Sequence, residues 1–536
     1  MAKVTFKQHN IVLEVEPGIK LSECIRKAKL SIETPCNCMG SCGKCIVKAS
    51  GELEEPSKEE KSFLFGKEGF RLACLAKVTG NAEVEFVKVS KALKTINKGY
   101  SIKVELDSEI KREFKGVTYL GNLIDIDKNV GAVLGAAVDI GTTGISAYLV
   151  DLETGEILNK LSCLNPQTEF GGDVLSRITY VINNEDGTQV LSEVIRKKIN
   201  EIAEKFAADS GFNTAQIYRI IIAANTTMLH LFAGVNPRCL AKAPYNAVFL
   251  DRKDYKPEEL GICINSKGIV TLLPSASSYV GADILSGIAA TDFHSKNNSS
   301  IFIDIGTNGE IVVISKGKLA ATSTAAGPAL EGMNISCGLR AEEGAIDSFS
   351  IDENYNISFT TIENASSRGI CGSALIDIAA FMVKREIILP SGKFNNKLPQ
   401  ALKERLIDKK FYITEDIYIS QKDIRQIQLA KGAIAAGVSM LLEELNIGIE
   451  EVEEAVIAGA FGYHINADSI KTIGLIPKGF HGDITFVGNS SVEGARLALT
   501  NKGFIKTIEQ LQQSVKVVEL STKDKFQEHF VKALSF

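Results

Sequence analysis

The segment Asp139-Ile140-Gly141-Thr142-Thr143-Gly144 returns later in the chain as Asp304-Ile305-Gly306-Thr307-Asn308-Gly309, changed at one position. Each copy sits inside an apolar, β-patterned stretch, AAVDIGTTGISAYLVDLETGEIL and SIFIDIGTNGEIVVISKGKLAA, that reads as strand, tight turn, strand, turn, strand. The duplication constrains the fold strongly, because whatever hairpin one copy makes the other must make too. An Asp at the end of a buried strand, beside a Gly-Thr turn, can hold Mg2+ through water. The turn's N–H and hydroxyl groups can meet phosphate oxygens, with glycine letting the backbone come close. Two such hairpins facing each other would grip a β- and a γ-phosphate from opposite sides. One copy alone would say little, since tight turns need glycine anyway. The chain has no G-x-x-x-x-G-K-[ST] segment, so it is not a P-loop ATPase.

The hairpin pair resembles the two phosphate loops of the acetate-and-sugar-kinase/Hsp70/actin superfamily. A third stretch, VIAGAFGYHIN (456–466), fits that superfamily's adenosine loop, with Gly459, Ala460, Phe461 and Gly462 between an apolar strand and a helix. VGNSSVEGARLAL (487–499) looks like the closing strand-to-helix turn of the same lobe. The resemblance implies two ribonuclease-H-like lobes, about 133–297 and 298–536, around a cleft for ATP and Mg2+.

The first ninety residues have a different character. Two alternating strands and a short helix, with Leu21, Cys24, Ile25 and Ala28 at helical spacing, lead into PCNCMGSCGKC (35–45). Five of the eleven cysteines fall between Cys24 and Cys45, and Cys74 follows inside a later strand. An odd total, clustered in this way, argues for a bound metal rather than a disulfide framework. Cys36, Cys42 and Cys45 (C-x5-C-x2-C) with the distant Cys74 suit a [2Fe–2S] cluster on a tight loop, where Gly40 and Gly43 relieve crowding. Zinc also accepts four thiolates, but its sites generally pair two C-x2-C knuckles. The C-x5 spacing resembles vertebrate and bacterial-type [2Fe–2S] ferredoxins and their β-grasp fold. Cys38 is one thiol more than the cluster needs, and Cys24 fits the apolar face of the helix.

A narrower resemblance covers nearly the whole chain. NPQTEFGGDVLSRI (165–178), AANTTMLHLFAGVNP (223–237), LPSASSYVGAD (273–283), TAAGPALEGMNI (324–335, with Gly327), RGICGSALID (368–377) and the closing VVELSTKDKFQEHFVKAL all look like motifs of the reductive activators of corrinoid proteins. The resemblance implies ATP-dependent return of a methyl-carrying corrinoid from Co(II) to Co(I), with the electron coming from the [2Fe–2S] cluster. That couple is lower than the roughly −400 mV of plant-type centres, so the electron runs uphill and ATP must bias the cycle. Asp139 and Asp304 would hold Mg2+, the Gly-Thr turns the phosphates, and Gly459–Gly462 the adenosine. The partners would be a corrinoid protein of a methyltransferase system and an upstream low-potential electron donor, and the state a homodimer. Relatives carry a larger segment between ferredoxin and first hairpin, where only residues 91–132 stand here.

The expected fold is therefore α/β multidomain: a β-grasp ferredoxin (1–90), a linker or reduced middle segment (91–132), and two ATPase lobes. A formal charge of −5 gives no reason to expect nucleic acid or an anionic membrane as partner. The apolar stretch 432–442 is too short to span a bilayer, and the N-terminus lacks a signal-peptide core, so a cytoplasmic protein is expected. Two competing functions use the same parts. Activators of radical dehydratases share the hairpins but hold their cluster with cysteines of the ATPase domain, for which Cys337 and Cys371 are the candidates here. A redox-sensing ATP-binding module would bind nucleotide without driving electron flow. His464 and His230 read as packed histidines, Asp173 and Asp283 equally as helix caps or as acids that position water or Mg2+, and no residue declares itself the general base.

Overall fold

A computed structural model describes residues 1–536 apart from 29, 31, 33, 35–37, 39, 41–44, 65–68, 87–99, 114, 127–130 and 460–464. The chain divides into two compact units, Met1–Lys91 with Asn165–Ile195, and Ala92–Leu164 with Arg196–Phe536.

In the first unit, β1 (Ala2–Phe6), β2 (Ile11–Val15), β3 (Ile46–Leu53), β4 (Phe70–Leu72) and β5 (Val78–Phe86) form one sheet in the order β2-β1-β5-β3-β4. β1 is antiparallel to β2 and parallel to β5, the mixed centre of a β-grasp sheet. Alternation along β1 buries Ala2, Val4 and Phe6, and α1 (Leu21–Lys27) lays Leu21, Cys24 and Ile25 into the same core. α2 (Lys58–Leu64) carries Glu60. The Glu60 carboxylate accepts from Arg71 Nε and from the Leu72 amide, each at 2.8 Å. A buried carboxylate is tolerated only when donors surround it in this way. The later part of the unit adds α3 (Val174–Asn183), and the Glu169 carbonyl before it accepts from Arg26 Nη2 at 3.0 Å and Thr34 Oγ1 at 2.6 Å.

The second unit shows the sequence repeat as a repeat of topology. The strands β9 (Leu134–Ile140), β10 (Gly144–Asp151), β11 (Ile157–Leu164), β12 (Ile217–Ala224), β13 (Lys253–Tyr255) and β14 (Ile269–Leu272) form a six-stranded sheet, β11-β10-β9-β12-β14-β13. A second sheet comprises β15 (Ser300–Ile305), β16 (Gly309–Ser315), β17 (Lys318–Thr324), β18 (Glu454–Ala458), β19 (Asp483–Gly488) and β20 (Lys516–Val517), ordered β19-β18-β15-β16-β17-β20. Each has three antiparallel strands, the first of which also pairs in parallel with the fourth. This is the ribonuclease-H-like arrangement expected of the lobes. β12 is buried at every residue, as a strand covered on both faces must be.

Residues 100–107 of the expected linker are packed rather than free. Their amides bond Val487 O, Ala290 O and Thr500 O at 3.0, 2.9 and 2.9 Å from Tyr100, Ile102 and Asp107. A small sheet follows: β6 (Ile110–Glu113), β7 (Gly116–Tyr119) and β8 (Asn122–Asp125). Just before it, buried Glu109 pairs with fully buried Arg219 of β12 and with Arg252. Two helices, α4 (Ala282–Ala290) and α5 (Ser490–Thr500), cross at very short range. A Cβ on Gly494 would stand 2.4 Å from Ser286 O, so only glycine permits the crossing. Among the described residues, no helix is long and apolar enough to cross a membrane.

Candidate functional site

The two sequence hairpins face each other across one cleft of the second unit. Asp139 and Asp304 end β9 and β15, and the turns Gly141-Thr142-Thr143 and Gly306-Thr307-Asn308 line the cleft with them. Thr143 Oγ1 and Thr307 Oγ1 lie 3.2 Å apart, so the two hairpins meet, although in the repeat Thr307 corresponds to Thr142 and Thr143 to Asn308. At Gly141 a Cβ would lie 2.8 Å from Gly144 O, which explains the glycine after the Asp-Ile pair. Gly459 also lines the cleft, and at φ +126 its Cβ would lie 2.5 Å from Ile305 O. Ala460, Phe461, Gly462 and His464 lie outside the described residues. Gly327 does not line the cleft; it caps the turn Pro328–Glu331, whose last residue does.

Tertiary structure brings the sequence candidate Asp283 into the cleft and adds residues that no local signal marked. Asp139 is held by two donors at the start of α5, Asn489 Nδ2 and Ser491 Oγ, each at 2.8 Å. Asn489 also caps the helix by accepting from Val492 N at 3.0 Å, which fixes its amide for Asp139. Asp283, in the first turn of α4, and Glu310, on β16, both line the cleft. Glu331 accepts from Thr143 Oγ1 at 3.0 Å and from Thr307 Oγ1 at 3.2 Å, joining the two hairpins. Asn225 donates to Thr142 Oγ1 at 3.1 Å, and Arg340 lies at the same wall.

Five carboxylates thus line one cleft, Glu310 buried and the other four half-buried. Burial raises the Asp139 carboxyl above its ordinary value. Asp304 is pushed up to about 8, by burial first and then by the charges of Asp283, Asp139 and Glu331. Asp283 and Glu310 rise for the same reasons, and Glu331 rises by burial against the pull of its two threonine donors. Like charges at this range disfavour joint ionisation unless a cation neutralises them. All-oxygen donors of this kind suit Mg2+. Among the described residues no three acidic, His or Cys side chains converge at direct ligand spacing. Mg2+ commonly keeps several waters and takes one or two carboxylates.

The remaining sequence candidates separate clearly. Asp173 caps α3, accepting from Ser176 N at 2.7 Å in a capping box. His230 is buried, its Nδ1 at 2.7 Å from Thr226 O and its Nε2 accepting from Val248 N at 3.1 Å, which requires the neutral ring. Cys371 is buried beside Ser373 Oγ at 3.2 Å, and Cys337 Sγ lies 3.8 Å from Asp416 O.

In the first unit Cys45 and Cys74 are both buried, and the Cys74 amide points at Cys45 Sγ at 3.5 Å. An amide aimed at sulfur is what a cluster thiolate needs, so this pair fits a [2Fe–2S] centre. Cys36 and Cys42 lie outside the described residues. Gly40, at φ +72, has Leu75 so near that a Cβ would lie 2.7 Å from its Cδ1, so Gly40 packs against the turn after β4, in which Cys74 lies rather than inside a strand. Cys38, half-buried, has its sulfur 3.8 Å from Arg26 Nη2 and 3.9 Å from Ser22 Oγ. Cys24 is core, its thiol pushed up to about 11 by burial.

A ferredoxin-type domain joined in one chain to a two-lobed fold with paired phosphate-type hairpins defines an iron–sulfur member of the ASKHA class. Residues 4–79 match the 2Fe-2S iron-sulfur cluster binding domain, 134–296 the RACo middle region, and 298–536 the C-terminal ASKHA domain of RACo. The corrinoid activation enzyme RamQ of Eubacterium limosum is 30% identical over 97% of this chain and 96% of its own. The [Co(II) methylated amine-specific corrinoid protein] reductase of Methanosarcina barkeri is 27% identical over 75% of this chain and 77% of its own. A solved reductive activator for a corrinoid, iron-sulfur protein superposes with a TM-score of 0.73 at 29% identity, covering 100% of this chain and 98% of that one. The chain belongs to the RACo family of corrinoid reductive activators.

Proposed function

We propose that this protein restores Co(I) in a corrinoid protein of a methyl-transfer system, passing one electron to Co(II) at the expense of ATP. The observation that carries the reading is the meeting of Thr143 and Thr307 between half-buried Asp139 and Asp304. A polyanion with its Mg2+ is the ligand that such facing hydroxyls and crowded carboxylates suit. Its presence in one chain with the buried Cys45 and Cys74, and the family's relatives, support the coupling to electron transfer.

Cys36, Cys42, Cys45 and Cys74 hold the [2Fe–2S] cluster, which supplies a one-electron carrier when bound. Asp139 and Asp304 hold Mg2+ through water, with Asn489 and Ser491 fixing the Asp139 carboxylate so that both oxygens keep one orientation. The two Gly-Thr turns take the phosphates, and Gly459, with Ala460, Phe461 and Gly462, lines the adenosine. The hairpins belong to different lobes, so a nucleotide held by both favours the closed arrangement. ATP can drive the reduction only by as much as it binds the two arrangements differently. The upstream donor is a low-potential one-electron carrier, and the working protein is a homodimer, which light scattering would test.

The test is the visible spectrum of an anaerobic mixture of the reduced protein and a Co(II) corrinoid protein from the same genome. The Co(I) band should grow only with MgATP. If ATP is hydrolysed while cobalt stays Co(II), the proposed substrate is wrong.

A further inference from the structure

Glu331 is the one acid of the cleft that bonds to both hairpins at once. Its Oε2 accepts from Thr143 and its Oε1 from Thr307, while Asp139 is engaged by Asn489 and Ser491, and Glu310 by Ser323 Oγ at 3.2 Å. The carboxylate therefore occupies the place where two phosphate-type loops converge. It also sits on a short turn flanked by Gly327 at φ +74 and Gly332 at φ +75.

Each threonine hydroxyl has one proton to give. Here both protons are spent on Glu331. A phosphoryl group entering between the hairpins competes for the same two donors, and once they turn to it the half-buried Glu331 loses both hydroxyls and keeps only the Thr307 N–H and the nearby Arg340 charge. A partly desolvated carboxylate that has lost two of its donors is destabilised and is relieved by accepting a hydrogen bond from water. The water it accepts from stands on the phosphate side, because that is where the vacated carboxylate faces. Loss of the two donors also makes the group more basic, which suits a proton acceptor near neutral pH.

We infer that Glu331 orients the water that attacks the γ-phosphate and takes its proton, an assignment that rests on the ATP-hydrolysing reading above. The water oxygen forms a bond to the γ-phosphorus as the bond from phosphorus to the bridging oxygen breaks. That bond's electron pair leaves with ADP, the water proton goes to the Glu331 carboxylate, and from there to phosphate or solvent. Nucleotide binding thus builds the catalytic group by removing the contacts that hold it quiet in the free protein. That keeps hydrolysis slow until both hairpins have closed on substrate.

The test uses the full-length holoprotein and its Glu331→Gln and Glu331→Asp variants, with MgATP affinity by calorimetry, single-turnover hydrolysis, the pH profile of kcat, and a melting curve as the check on folding. Glutamine keeps one acceptor for the threonines but cannot take a proton. E331Q is expected to bind MgATP at least as tightly as the wild type while hydrolysis falls roughly 10²- to 10⁴-fold. The acid limb of the pH profile should vanish with it, and E331D should recover part of the rate. The inference is overturned if E331Q hydrolyses ATP within about tenfold of wild type. It is also overturned if E331Q and E331D lose affinity and rate together, since Glu331 would then only shape the pocket. A wild-type protein that neither binds nor hydrolyses MgATP overturns the ATPase reading itself, an outcome distinct from both.

Discussion

Replacing Asp304 with asparagine should stabilise the metal-free protein and abolish its nucleotide turnover. The carboxyl is half-buried and desolvated in the cleft beside three other acids, and desolvation with their charges raises it from 3.8 to about 8. At about 1.4 kcal/mol per pKa unit, carrying the charge at pH 8 without a cation costs on the order of 5 kcal/mol relative to the unfolded chain. The sign follows from the raised value: the stabilisation is fully present below the unfolded pKa near 3.8 and is lost as the pH rises through about 8. Wild-type protein in EDTA should therefore lose stability between pH 5 and pH 8, and Asp304→Asn should remove most of that loss. The midpoint of chemical denaturation, followed by tyrosine fluorescence at the two pH values, measures it. Mg-nucleotide should raise the wild-type midpoint at pH 8 and leave the variant's unmoved. If Asp304→Asn instead lowers the midpoint at pH 8 as much as at pH 5, the carboxylate is not held among like charges, and the cation-site argument fails.

Three further outcomes are expected. Glu109→Ala leaves Arg219 and Arg252 facing each other without their shared carboxylate and should cost about 3–5 kcal/mol in denaturation, with nucleotide contacts intact. Cys45→Ser should remove the visible iron–sulfur absorption, whereas Cys38→Ser, whose sulfur faces Arg26 and Ser22, should keep it. Burial lowers the His230 pKa below its ordinary 6.5, so the stability contributed by the neutral ring is present above that value and lost as the pH falls through the lower folded value. His230→Gln should flatten that part of the acid limb in a pH series of melting curves.

Much of this was legible in the residue order, for local reasons. A tight Asp-x-Gly-Thr turn needs glycine where the backbone closes on itself, as Gly141 does against Gly144 O, so the motif survives as readable text. Its duplication announced two lobes, and both sheets duly repeat the strand order. The cysteine spacing announced a ferredoxin because a cluster can be wrapped only by a short, glycine-relieved loop. In the residue order Asp283 is equally a cap or an acid that positions water or Mg2+; only the α4 and α5 crossing, which glycine at 494 permits, places it in the cleft with Asp139.

Glu331, Glu310, Asn489 and Ser491 had no signal of their own. An acid in PALEG or an amide before a helix is unremarkable alone, and Asn489 reads simply as a cap. Their meeting depends on residues far apart in sequence being carried by two sheets and a bridging helix to within 3 Å or so of Asp139, Thr143 and Thr307. The sequence by itself determined the loops that could bind a phosphate, because turn geometry is written in neighbouring residues. Which acid could act on that phosphate was decided only by packing, because burial and mutual charge exist only between groups the fold has brought together.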